Sequence, residues 1–118
     1  MKLIKITFIS LIALGSLLTL AFAAGEAEKG KALFNDPNFA GGVKACSSCH
    51  PNGKGLEKAA DKKEGHRMDK TQKSLEEAIN TCIVYAIQGK ALDVKSAHMK
   101  EIVAYIKSLK AKKPASGY

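Results

Sequence analysis

Residues 46–50 read Cys-Ser-Ser-Cys-His, and no other stretch narrows the options of this chain so far. Two thiols separated by two residues can form thioether bonds to the two vinyl groups of one porphyrin. The imidazole that follows at once can then bind the iron from below. The five residues fix an edge and the proximal face of one covalently attached haem, with Cys46 and Cys49 as attachment points and His50 as iron ligand. Other uses of a C-x-x-C are poorly served. Structural zinc needs four ligands and a second pair at matching spacing. The only further cysteine is Cys82, and His66 and His98 form no H-x-x-x-H pair. A thioredoxin-like redox motif calls for a βαβ setting, and no strand-rich stretch surrounds this one.

The N-terminus is consistent with that chemistry. Lys2 and Lys5 form a short basic region, and the run from Ile6 to Phe22 is apolar apart from Thr7, Ser10, Ser16 and Thr19. It ends Ala21-Phe22-Ala23, an A-x-A cleavage signature. A retained anchor would need such a run to span a bilayer, and this one is almost long enough. The small-residue site favours removal, so residues 1–23 are expected to be a cleaved signal peptide and 24–118 a single domain. No cysteine stands at the cleavage point to make a lipoprotein. Covalent haem attachment takes place outside the cytoplasm, so export and the motif support each other. The expected compartment is periplasmic or otherwise extracytoplasmic, with no retained membrane anchor.

The exported chain is small for a self-sufficient core, and a haem would supply an apolar body to pack on. The formal charge is +8. Loss of Lys2 and Lys5 lowers it by two, and haem propionates lower it further. The basic remainder suits an acidic redox partner protein or an anionic substrate; nucleic acid is implausible in this compartment.

The spacing predicts three helices. Glu26 to Asn35 carries acidic residues in its opening turn, places Gly30, Leu33 and Phe34 along one side, and stops at Asp36-Pro37-Asn38. Phe39 to Lys44 is a glycine-bearing loop that delivers the attachment motif. Pro51 to Gln72 is polar, with glycines at 53, 55 and 65, and reads as loop with at most a short helix and Leu56 as an apolar plug. Ser74 can cap a second helix with Glu77 at capping-box spacing. Leu75, Ala78, Ile79, Cys82 and Ala86 form its stripe, and Gly89 ends it. A third helix begins near Ser96, with Met99, Ile102, Val103, Ile106 and Leu109 on one buried face.

The chain resembles a class I c-type cytochrome over almost its whole exported length. Gly30 and Phe34 are similar to the small and aromatic pair of that family's first helix. Ile102-Val103-Ala104-Tyr105-Ile106 is similar to its last helix, which crosses the first near that pair. The resemblance implies an all-α class I cytochrome c fold, three main helices around one haem c with one edge exposed.

Which group binds the other face of the iron separates an ordinary carrier from something else. Met99, Cys82, His66, Met68 and His98 are the candidates. The family's usual methionine lies in a loop before the last helix, whereas Met99 stands in the first turn of that helix on the apolar stripe, where methionine is more often core filler. Cys82 is an odd cysteine in an oxidising compartment, on the inward stripe of the second helix. A thiolate binds iron strongly, and iron would hold it ionised. An inert buried thiol and an intermolecular disulfide are its other readings. His66 lies in a charged loop, and His98 points off the Met99 stripe.

A second resemblance bears on this choice. Ile79-Asn80-Thr81-Cys82-Ile83, Gln88-Gly89-Lys90-Ala91-Leu92, Ser96 and Met99 together are similar to a block in the haem domains of thiosulfate dehydrogenases and the related sulfur-oxidising cytochromes. The small subunits of the heterodimeric His/Cys cytochrome c of anammox bacteria are similar in size and layout. The resemblance implies Cys82 as distal ligand beside His50. It implies electron transfer as the function, with binding of NO or CO after loss of the cysteine as the alternative. A role as haem subunit of a sulfur-oxidising enzyme is a further possibility under that resemblance. A heterodimer with a similar small cytochrome is the implied assembly. A single C-x-x-C-H leaves no second haem as electron exit, so an independent enzyme is not expected.

Overall fold

The computed structural model describes residues 22–67 and 69–111. The expected signal segment before Phe22, Met68, and the tail from 112 lie outside these residues. Helix α1 spans residues 22–35, so it begins ahead of the expected Glu26. Asn35 closes it by donating from Nδ2 to the Lys31 carbonyl (2.9 Å), and the Asp36 carboxylate takes the Asn38 N–H (2.8 Å) to turn the chain away. Helix α2 spans Leu75–Tyr85. Its cap is the one the spacing predicts: Ser74 Oγ accepts from the Glu77 N–H at 3.1 Å. The Glu77 carboxylate reaches back to the Lys73 N–H at 2.7 Å, one residue earlier than the ideal box. Helix α3 spans Ala97–Ser108, capped by Ser96 through the Met99 N–H at 3.2 Å, and tightens into a 3₁₀ turn over Leu109–Ala111.

Helices α1 and α3 cross where the resemblance places the crossing. A Cβ on Gly30 would collide with the Glu101 carbonyl of α3, so only a hydrogen there lets the backbones approach. One turn on, the Phe34 and Tyr105 rings meet with centroids 5.1 Å apart at 59°, a tilted pair worth about 0.5–1.5 kcal/mol beyond its buried area. The core grows from this crossing. Phe34, Phe39, Ile79, Ile83, Ile102 and Ile106 are buried together, with Met99 and Leu109 almost fully enclosed.

The stretch from Pro51 to Gln72, expected as loop, contains more structure than that. It opens with 3₁₀ turns over Pro51–Gly53 and Ala59–Asp61 and ends in a small hairpin. Strands β1 (Gly65–Arg67) and β2 (Lys70–Gln72) pair antiparallel with Gly65 opposite Gln72. No apolar alternation announces strands of three residues, and side chains to α2 hold them. Lys70 donates to the Tyr85 hydroxyl and lies over its ring at 4.7 Å, and Gln72 Nε2 reaches Thr81 Oγ1 at 3.4 Å. Among the described residues three α-helices, joined by loops with short 3₁₀ turns, carry one hairpin laid on α2.

Candidate haem site

The attachment motif hangs between two tied loops. The Val43 N–H donates to the Ile87 carbonyl (2.9 Å) and the Lys90 N–H to that of Ala40 (2.8 Å), so the approach to the motif is stitched to the chain leaving α2. Gly42 and Gly89 permit this, since a Cβ on Gly42 would lie 2.9 Å from the Ile87 carbonyl oxygen and one on Gly89 3.0 Å from that of Ala40. The motif then coils into a 3₁₀ turn over Cys46–Ser48, with the Cys49 and His50 N–H groups both donating to the Cys46 carbonyl at 3.2 and 3.1 Å. Cys46 faces inward and is half-buried, whereas Cys49 is exposed.

His50 is aimed by the loop that follows. Its Nδ1 lies 3.0 Å from the Lys54 carbonyl oxygen. A carbonyl only accepts, so this contact places the proton on Nδ1 and leaves the Nε2 lone pair to a metal. The loop reaches this geometry by left-handed residues: Asn52 (φ 53°), Gly53 (φ 76°) and Gly55 (φ 89°). Gly53 also lies so close under Leu109 that any side chain there would strike it. Two of the three left-handed positions are glycines, which adopt that region without cost.

Cys46, His50 and Cys82 line one crevice, closed by Phe34, Leu56, Ile79 and Ile102. Cys46 on the motif turn and Cys82 on α2 both line this crevice. Burial pushes the Cys46 thiol up to about 11, and the Cys82 thiol beside it adds to the shift. Met99 does not line this crevice; it is buried in the core and borders a separate cavity shared with Ala23 and Ala27 of α1. His66 is exposed on β1 with Nδ1 3.1 Å from Thr71 Oγ1. His98 is exposed, its ring 6.2 Å from that of Phe39. Met68 lies outside the described residues. Of the candidate second ligands that the structure describes, Cys82 alone shares a cavity with His50.

Two features escape sequence reasoning. The Lys54 carbonyl carries no side-chain signal, although the glycines around it mark a turn. Asn80, on α2, holds the loop before α3 at both ends of one residue. Its Nδ2 donates to the Leu92 carbonyl and its Oδ1 accepts from the Leu92 N–H, both at 2.8 Å.

Donor set and lining fit a haem: two thiols at vinyl spacing, an oriented imidazole, apolar walls, and a further thiol across the crevice. Fold and site together define a class I c-type cytochrome, a haem electron-transfer protein with haem c as its cofactor. The chain matches the family model of the SoxA/TsdA cytochrome c domain over residues 29–114 and belongs to that family. No curated protein and no solved structure matches it.

Proposed function

We propose that this chain is an exported, periplasmic monohaem cytochrome c that carries electrons, with His50 and Cys82 binding the two faces of the iron. The observation that carries this reading is the crevice that His50 and Cys82 share, with Met99 buried elsewhere. The haem supplies an iron that exchanges one electron between ferric and ferrous states. Cys46 and Cys49 keep it from dissociating, and the apolar walls keep water from the iron. The Lys54 carbonyl holds the imidazole ring in place and, by drawing on the Nδ1 proton, makes His50 a stronger donor. A thiolate from Cys82 adds negative charge at the iron, favours the ferric state and sets a low potential.

The partner in this reading is an acidic redox protein, and a heterodimer with a similar small cytochrome is the assembly proposed. One C-x-x-C-H gives one haem, so electron transfer rather than independent catalysis is the activity proposed. A second reading, binding of NO or CO, draws on Cys82 being only half-buried. Release of that thiolate from ferrous iron would open a position on an apolar wall. Among the described residues no helix is long and apolar enough to cross a membrane, and the mass of the mature protein tests cleavage after Ala23.

The deciding measurement is the ferric protein's far-red absorption with its low-temperature spin-resonance spectrum. A thiolate-type low-spin signal that disappears in Cys82→Ala is the expected result. A methionine-to-iron charge-transfer band that survives Cys82→Ala overturns the ligand assignment and leaves a methionine-ligated carrier.

A further inference from the structure

Cys82 stands in the last turn of α2, where a helix frays unless its final carbonyls find partners. Here the turn is tied. The Cys82 carbonyl accepts from the Ala86 and Ile87 N–H groups at 2.9 and 3.2 Å, and the Ile83 carbonyl accepts from the Gly89 N–H at 2.8 Å. The chain reverses at Gln88, which is left-handed at φ 57°, and comes back to α2 at Leu92. There Asn80 closes the circuit, donating from Nδ2 to the Leu92 carbonyl and accepting the Leu92 N–H on Oδ1, both at 2.8 Å. We infer that Asn80 is a positioning residue for the iron ligand: by clasping Leu92 it pins the turn that carries Cys82 and restrains departure of the thiolate from the iron.

Residues two apart on a helix point to different sides, so Asn80 takes the loop on one side of α2 while Cys82 lines the crevice on another. The clasp is sheltered. Asn80 is half-buried, and Leu92 packs against the core. An amide there that lost Leu92 would be left with its desolvation cost, which favours the closed state. The loop inside the clasp is also fixed to the far side of the crevice. The Ile87 carbonyl takes the Val43 N–H and the Lys90 N–H reaches the Ala40 carbonyl, on the segment that leads to Cys46. Cys82 is thus held between Asn80 on its own helix and the loop that approaches the attachment motif. A shift of its backbone away from the iron has to break these ties. The restraint matters most in the ferrous state, since an iron with one positive charge fewer attracts a thiolate less. When an outside ligand such as carbon monoxide enters, the iron–sulfur bond breaks, a bond from iron to that ligand forms, and no electron is transferred.

This inference rests on the reading of Cys82 as iron ligand. The test is the rate of carbon monoxide binding to the ferrous holoprotein, with amide hydrogen exchange at Ala86 and Ile87, whose N–H groups both donate to the Cys82 carbonyl. Asn80→Ala is expected to speed both by about fivefold or more, the factor that one hydrogen bond supplies. Asn80→Asp keeps the acceptor for the Leu92 N–H and loses the donor. It is expected to give a smaller change in the same direction, and it decides the matter where Asn80→Ala does not fold. Ser96→Ala removes the cap of α3 at the other end of the same loop. It is expected to lower Tm and leave both rates as in the wild type. Wild-type rates in the Asn80 variant that folds, or rates raised as much by Ser96→Ala, overturn the inference. A ferric spin-resonance signal that Cys82→Ala leaves unchanged instead overturns the ligand reading itself, whatever the Asn80 variants do, which separates the two failures.

Discussion

At the scale of single residues, the contact between His50 Nδ1 and the Lys54 carbonyl makes a definite demand. Gly55 holds the carbonyl where it is, at φ 89°, and a Cβ there would lie 3.7 Å from Nδ1. Gly55→Ala has room but not the backbone freedom, so the peptide must rotate and weaken the hydrogen bond. A bond worth about 1 kcal/mol corresponds to about 40 mV for one electron. The reduction potential is therefore expected to rise by a few tens of millivolts, because a less basic imidazole favours ferric iron less. Potentiometric titration checks this; a potential that falls or stays would show that the contact does not tune His50. Met99 makes the opposite demand. It is 1% exposed, packed in the core away from the crevice. Met99→Ala is expected to cost about 2–5 kcal/mol of stability while the far-red and spin-resonance spectra stay as in the wild type. A spectral change would make it a ligand.

At the scale of elements, the α1–α3 crossing bears most on stability. Gly30→Ala places a methyl against the Glu101 backbone, which cannot swing aside as a side chain can. Overpacking of this kind costs about 1–3 kcal/mol, and for a domain of this size each kcal/mol lowers Tm by about 4–8 °C. Thermal unfolding of the holoprotein followed at the Soret band measures it; an unchanged Tm would mean that the crossing relaxes without loss. This crossing is legible in the sequence through the resemblance of Gly30, Phe34 and the stretch Ile102-Val103-Ala104-Tyr105-Ile106 to the first and last helices of class I cytochromes. So are the caps at Ser74 and Ser96, where one side chain satisfies one backbone N–H. The hairpin is not legible, since Lys70 and Gln72 draw their order from Tyr85 and Thr81, far along the chain. The choice among Cys82, Met99 and His66 is not legible from periodicity either. Each stripe faces inward somewhere, and only the packed arrangement shows which inward faces meet His50.

At the scale of the whole molecule, charge governs encounter rather than fold. The formal charge of +8 falls by two if Lys2 and Lys5 leave with the signal, and it stays positive after two propionates are added. Lys44, Lys54 and Lys58, which flank the attachment motif in sequence, are all exposed. Exposed cations add little stability, as the surface pair of Lys110 and Asp61 illustrates at 2.8 Å with both side chains at least half exposed. Their field acts instead on approaching partners and is screened beyond about 10 Å at 0.1 M salt. Electron transfer to an acidic acceptor is therefore expected to slow with rising ionic strength, by tenfold or more between low and physiological salt, as steered associations do. The Lys44→Glu, Lys54→Glu and Lys58→Glu changes together reverse the charge beside the motif while leaving every buried group in place. They should slow reduction of the acceptor at low salt and flatten the salt dependence, with Tm and the haem spectrum unmoved. Stopped-flow traces at several ionic strengths read both quantities at once. A rate that ignores salt in the wild type would mean that the haem is met through a neutral surface. A triple variant that keeps the wild-type slope would place the docking charges on another face of the molecule.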